Sequence, residues 1–168
     1  MKKLFLIFLV FNLSCTTYNE EKTSLEGEQI LVGKVNWDGF SKAPYSDWFY
    51  PNYKDYVVDT VTLSKLNSDF HDIRINLFLG TWCEDSQLQV PQFYKILDYL
   101  KHDINQLTVV GLEKIDFEKF ESPQHEEVGF AITQVPTFIF FKDGVEIGRI
   151  TEYPTKTLEK DIVNIINQ

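Results

Sequence analysis

In Asn76-Leu77-Phe78-Leu79-Gly80-Thr81-Trp82-Cys83-Glu84-Asp85-Ser86 a largely apolar run closes on a glycine and passes through a cysteine into an acidic segment. From Ile73 to Leu79 the residues are mostly β-branched, aromatic or leucine, over a length too short for a core helix, which predicts a strand. The segment after Cys83 is helical in pattern. Leu88, Val90, Phe93, Ile96, Leu97 and Leu100 recur at helical spacings, and Glu84 and Asp85 fall in the first turn, where the helix dipole favours acids. Cys83 therefore stands at a strand-to-helix turn. There, backbone N–H groups without an intrahelical partner can stabilise a thiolate.

Two further features belong with this turn. Pro91 lies eight residues beyond Cys83 and is expected to kink the helix; Val135-Pro136-Thr137 stands directly before the apolar run Phe138-Ile139-Phe140-Phe141. Together, Trp82-Cys83-x-x-Ser86, the helix proline and a Val-Pro-Thr before a strand-hairpin-helix ending resemble the thioredoxin-like superfamily over roughly residues 57–168. The resemblance implies an α/β fold, a three-layer sandwich with a mixed central sheet flanked by helices. It also implies a cis Pro136 lying against Cys83, with Trp82, Val135, Pro136 and Thr137 forming the wall along which a client peptide lies. It implies neither cofactor nor metal.

Departures from that pattern narrow the chemistry. Thioredoxin-like oxidoreductases usually carry Cys-x-x-Cys, and the second position here is Ser86. The acidic or amide residue that many relatives place six residues before the first cysteine is Leu77. Dithiol cycling through this motif alone is excluded, because a serine cannot attack a mixed disulfide to release the partner. In a helix, positions i and i+3 share a face, so Ser86 is expected to donate a hydrogen bond to the Cys83 thiolate.

At the amino end, Met1-Lys2-Lys3 precedes eight consecutive apolar residues from Leu4 to Phe11, then Asn12-Leu13-Ser14-Cys15. This reads as a secretory signal, too short to span a bilayer as a stable helix. Leu-Ser-Cys resembles a bacterial lipobox, which implies a signal over 1–14, lipidation at Cys15, and a place in the cell envelope, facing the periplasm. Ordinary signal cleavage near Ser14, leaving a free thiol, is the alternative.

With Cys15 lipidated, Cys83 is the one remaining thiol, in a compartment where disulfides persist. A lone cysteine at this turn reads as chemical rather than as a small buried hydrophobe. Removing 1–14 takes away Lys2 and Lys3 and no acid, moving the formal charge from −9 to −11. So acidic a surface disfavours nucleic acid and anionic headgroups as partners, and leaves membrane attachment to the lipid.

Residues 15–29 are polar and charged and read as a tether. Residues 30–168 then form one domain, with 43% of the whole chain hydrophobic. Its first part, 30–56, crowds Trp37, Phe40, Tyr45, Trp48, Phe49, Tyr50, Tyr53 and Tyr56 between Gly39, Pro44 and Pro51. These interruptions predict no long helix, and the aromatics read as a cover for a sheet edge and a helix face. A first strand is expected at Val57–Leu63, a short helix or turn at Ser64–Asp72, and another strand at Leu107–Leu112. Residues 113–127 form a polar insertion in which Ser122-Pro123 is expected to open a short helix bordering the site. Asp143-Gly144 predicts a hairpin, Gly148 a bulge or close packing, and Thr155 or Thr157 the cap of a last helix striped by Leu158, Ile162, Val163, Ile165 and Ile166. His71, His102 and His125 lack the spacing of metal ligands, and of the three only His125 has a route to Cys83.

The residues leave two function classes open. One is monothiol thiol–disulfide exchange through Cys83, with protein thiols or disulfides as partners and an external, low-molecular-weight thiol to resolve the adduct. The other is a non-catalytic module that keeps the fold to sense thiols or bind a client, or an interaction protein in which the cysteine is idle.

Overall fold

The computed structural model describes residues 17–66, 68–116 and 119–168. Its strands are β1 (Glu20–Thr23), β2 (Gln29–Val35), β3 (Arg74–Leu79), β4 (Leu107–Gly111), β5 (Glu113–Lys114), β6 (Phe120–Glu121), β7 (Thr137–Lys142) and β8 (Val145–Thr151). The helices are α1 (Trp37–Phe40), α2 (Tyr45–Asp55), α3 (Thr60–Leu63), α4 (Glu84–Leu100) and α5 (Leu158–Ile166). Six strands form a mixed sheet in the order β1-β2-β4-β3-β7-β8, and β5 and β6 pair separately. β3 is parallel to β4 and antiparallel to β7; β2 is antiparallel to both β1 and β4.

Alternation along the strands divides the core into two. Ile75, Leu77 and Leu79 share one face with Val109, Phe138, Phe140 and Ile150, and this face carries the buried stripes of α4 and α5. Phe78, Val110 and Ile139 point the other way and are covered by Phe120, Phe130 and Ile132. The α/β architecture, a mixed sheet flanked by helices, is the one the sequence implies. On the second face the covering layer, among the described residues, consists of strands and turns from 113–116 and 119–132 rather than a helix.

Four local expectations are corrected. Val57–Leu63 is not a strand. Asp59 caps α3, its carboxylate accepting from the Thr62 N–H at 2.9 Å and the Thr62 hydroxyl at 2.6 Å, and Val57 and Val61 are exposed. The sheet position beside β4 goes to β2, from within the aromatic-rich segment. At Gly111 the two strands meet so closely that a Cβ would lie 2.3 Å from the Leu31 carbonyl oxygen, so the pairing needs a residue without a side chain there. Residues read as tether include β1, which pairs Glu20 with Val32 and Thr23 with Gln29. Their charged side chains suit an exposed edge strand as well as a linker.

The third correction is Ser122-Pro123, which opens turns and not a helix. Ser122 Oγ accepts from the Glu126 N–H at 2.9 Å, the Ser122 N–H donates to Glu127 at 3.0 Å, and His125 and Gly129 take positive φ, which breaks helical repetition. The fourth is α2, which runs through Pro51. It survives because its aromatic face is packed on α1 and α4: Phe49 stacks on Phe40 at 4.8 Å and meets Tyr94 of α4 edge-on at 5.6 Å, and Trp37 meets Phe49, Tyr53 and Tyr94 edge-on at 5.2–5.7 Å. This is the helix-face cover that the composition predicts. The Asp143-Gly144 hairpin, the register shift opposite Gly148 and the cap of α5 by Thr157 also form as expected.

Candidate functional site

β3 ends at Leu79 and hands the chain to a tight turn. The Cys83 N–H donates to the Gly80 carbonyl at 3.0 Å, and the Cys83 carbonyl accepts from the Gln87 N–H at 2.9 Å, opening α4. Cys83 is thereby the N-cap residue of α4, with extended backbone and a half-buried thiol. Side chains hold the turn on both sides. The buried Thr81 hydroxyl accepts from the Leu31 N–H at 3.0 Å, tying the turn to β2, and Gln87 Nε2 donates to the Thr81 carbonyl at 2.8 Å.

The Val135–Pro136 bond is cis, and the Cys83 thiol donates to the Val135 carbonyl at 3.4 Å. The Val-Pro-Thr segment thus does lie against the cysteine. Val135, Pro136 and Thr137 are themselves buried, and the Thr137 hydroxyl is used by the Gln134 carbonyl at 2.7 Å. Beside the thiol, the partly exposed Trp82 and the exposed Gln134 face solvent. The Trp82 indole N–H donates to the Leu112 carbonyl at 2.8 Å, its ring stacks on Phe120 at 6.1 Å, and Lys114 Nζ lies 5.8 Å from it.

Ser86 is placed differently from expectation. It is fully buried, and its hydroxyl oxygen accepts from the Gly80 N–H at 3.3 Å, so it braces the turn from beneath; the bond from the thiol goes to Val135. Leu77 is likewise fully buried, between Val109 and Phe138 in the sheet. The buried carboxylates among the described residues bond elsewhere: Glu113 to Lys22, Glu159 accepting from the Tyr56 hydroxyl and the Asp59 backbone N–H, Asp161 accepting from the Thr155 hydroxyl. His125 is paired with Glu127 at 3.6 Å rather than with Cys83.

A third border was missed by the sequence. The Glu152 N–H donates to the Pro136 carbonyl at 2.8 Å, and Gln89 Nε2 donates to the Glu152 carbonyl at 2.6 Å. This folds the end of β8 over α4, so that the Tyr153 hydroxyl donates to Asp85 at 2.7 Å, two residues from the cysteine. Donation to that carboxylate is the main reason the phenol is pushed up to about 12. The one trace of this in the sequence is an aromatic between a strand end and Pro154. Cys15 lies outside the described residues.

No protein-family model matches the chain. Over 67 residues it is 37% identical to the chloroplastic thioredoxin Y2 of Arabidopsis thaliana, covering 40% of this chain and 35% of that one. Over 73 residues it is 37% identical to a thioredoxin of Malassezia sympodialis, covering 44% and 62%. The match thus spans less than two thirds of either relative. A Pseudomonas aeruginosa protein of unknown function has a similar structure, with a TM-score of 0.53 at 14% identity over 80% of this chain and 90% of that one. In fold, and in the stretches so matched, the chain is thioredoxin-like.

Proposed function

We propose that the chain is an envelope lipoprotein, anchored through Cys15, that carries out thiol–disulfide exchange with Cys83 as its single reacting thiol. One observation carries this reading. Cys83 caps α4 at a half-exposed turn against the cis-proline segment, while the position of a resolving thiol is filled by the buried Ser86 hydroxyl. The Cys83 thiol first releases its proton to solvent, giving up its bond to Val135. The thiolate attacks one sulfur of a partner disulfide R–S–S–R′, forming Cys83–S–S–R and expelling R′–S⁻, which takes up a proton. An external thiolate R″–S⁻ then attacks the R sulfur, forms R–S–S–R″ and returns the Cys83 thiolate. Net, one disulfide exchanges one half for another. Client proteins lie along Trp82 and the backbone of residues 134–136, and a low-molecular-weight thiol serves as the resolving partner.

The reading is tested by treating the reduced protein with glutathione disulfide and following intact mass. A persistent glutathionyl adduct is expected, absent in Cys83→Ser and cleared by added glutathione. Failure to form it overturns exchange. That outcome would favour the second reading, a client-binding module, for which the relevant observation is that the thiol proton is already engaged by the Val135 carbonyl.

A further inference from the structure

The chain approaches the sheet from the end opposite Cys83, where Tyr18 lies with Ile104, Asn105 and Leu107, and β1 then runs toward the cysteine side, Glu20 beside Val32 and Thr23 beside Gln29. β3 and β4 run parallel with Ile75 beside Leu107 and Leu79 beside Gly111, so Cys83 stands beyond the carboxyl ends of both strands. β2 runs the other way, Val35 lying beside Val109, and brings Asn36 and Trp37 to the amino end of β4. Asn19 is fastened to β2 at Lys34 and, through its side chain, to Asn36 at that end. Its N–H donates to the Lys34 carbonyl at 2.8 Å, its Oδ1 accepts from the Asn36 N–H at 2.9 Å, and its Nδ2 donates to Asn36 Oδ1 at 2.7 Å. Glu20 is already paired with Val32, so the chain has no slack from Asn19 onward.

A cavity of about 320 Å³ opens here, lined among others by Tyr18, Lys34, Trp37, Tyr94, Ile104 and Asn105. Its rim exposes apolar and amphipathic side chains together: Tyr18 is 51% exposed, Trp37 38% and Ile104 56%. Tyr50, 41% exposed, extends the rim, its ring 6.3 Å from that of Trp37. Contacts with Phe49, Tyr53 and Tyr94 fix the Trp37 indole in place.

We infer that this rim is a docking face for the surface of the bilayer that holds the anchor, an inference that rests on the lipoprotein reading above. Cys15 precedes Tyr18 by three residues. Whatever their conformation, three residues reach at most about 11 Å. An acyl group on Cys15 therefore holds Tyr18, and the rim with it, at the depth of the lipid headgroups. Tryptophan and tyrosine are the side chains that favour this layer, an apolar ring below and a polar edge in water. Charge does not drive the contact: the mature chain is strongly acidic, and Lys34 is the cation among the residues lining the cavity. A zwitterionic surface is therefore sufficient. The consequence for function is directional. β4 alone spans about 13 Å from Leu107 to Gly111, and Cys83 lies beyond it, turned away from the membrane and toward soluble partners.

The test uses the full chain purified from bacterial membranes, carrying Cys83→Ser, with a nitroxide on either Ile104→Cys or Gln134→Cys, in phosphatidylcholine vesicles. Both positions are exposed, so neither label disturbs the core. Relaxation by oxygen relative to a water-soluble nickel chelate reports depth. The ratio is expected to be several-fold higher at 104 than at 134. Equal ratios in a sample whose intact mass shows acyl chains on Cys15 overturn the docking face and leave the anchor standing. A sample with no acyl chain on Cys15 overturns the anchor and the docking face together.

Discussion

Asn52 Nδ2 donates at 3.0 Å to the Gln87 carbonyl, the acceptor to which Pro91, four residues on in α4, has no N–H to give. The same amide group also donates to the Trp48 carbonyl at 3.0 Å, so one side chain of α2 fastens both helices at the point where the proline interrupts α4. Gln87 in turn holds the Thr81 carbonyl. The aromatic N-terminal segment is thus connected through two side chains to the turn that carries the cysteine.

Replacing Asn52 with leucine is expected to leave the Gln87 carbonyl without a donor in a partly buried site. The cost is about 1–3 kcal/mol, read as a lower urea midpoint at unchanged slope. Because the change reaches the Cys83 turn through Gln87, the rate of Cys83 alkylation should change as well. A variant at the exposed Val57, whose apolar side chain makes no hydrogen bond, should alter neither. An Asn52→Leu protein with an unchanged midpoint would remove the proposed coupling.

Legibility from sequence followed the physics of each element. β3, α4, the hairpin at Asp143-Gly144 and the stripe of α5 were readable because each is specified by neighbouring residues: periodicity, a turn pair, a cap. The pairing of β2 with β4 was not, since nothing local to Gln29–Val35 says that it displaces Val57–Leu63 beside a strand more than seventy residues later. The cysteine turn and the cis-proline segment were found from the motif. Tyr153 was missed because its position depends on three long-range hydrogen bonds, through Pro136, Gln89 and Asp85, that leave no spacing in the chain. Ser86 was found but misassigned: helical spacing puts it near Cys83, and burial decides that its oxygen serves Gly80.

Stability should fall steeply in alkali. Burial, with the Glu21 charge, pushes Tyr45 up to about 12; burial and donation to Asp98 push Tyr53 up to about 12. Tyr56 and Tyr94 are raised further, burial again the larger cause, joined by the bond to Glu159 and the charge of Asp98 respectively. The unfolded chain loses these protons near 10 while the folded one retains them. This stabilisation is therefore complete below pH about 10 and lost as pH rises through about 12. Urea midpoints at pH about 8, 10 and 11, with phenolate absorbance recorded alongside, should show the decline. A midpoint that stays flat across this range would contradict it.

Gly80→Ala probes the wall beside the thiol. A Cβ at Gly80 would lie 2.5 Å from the Trp82 indole, which cannot yield without giving up Leu112 and Phe120. A loss of roughly 1–3 kcal/mol is expected from such overpacking, together with shifted indole emission and altered Cys83 reactivity. Gly148→Ala supplies the comparison, because its Cβ would meet Ile165 at 2.9 Å, against α5. That variant should lose stability while leaving thiol reactivity as it was. Equal effects of the two on Cys83 would mean that general loosening, and not the position of Trp82, controls the thiol.

Ser86→Cys separates a thiol that lacks only its resolving partner from one that is idle. Position 86 stands one helical turn from Cys83 and is fully buried, so a sulfur there is close to Sγ and shielded from competing thiols. The substitution weakens the acceptor for the Gly80 N–H, since sulfur accepts poorly, and a cost of about 1 kcal/mol is expected. In return, the second cysteine can attack a mixed disulfide on Cys83, closing an intramolecular disulfide and releasing the partner. Reduction of a protein disulfide by dithiothreitol, slow with the unchanged chain, should then proceed through many turnovers. The gain is bounded by Leu77, which among the described residues leaves no buried carboxylate beside the turn to take the proton from the second thiol. No gain in turnover, with both cysteines shown by mass to be reduced and alkylated slowly, would assign Cys83 to a binding surface. Rapid repeated turnover by the unchanged protein at a rate independent of dithiothreitol concentration, as if no external thiol had to resolve the adduct, would refute the monothiol mechanism instead.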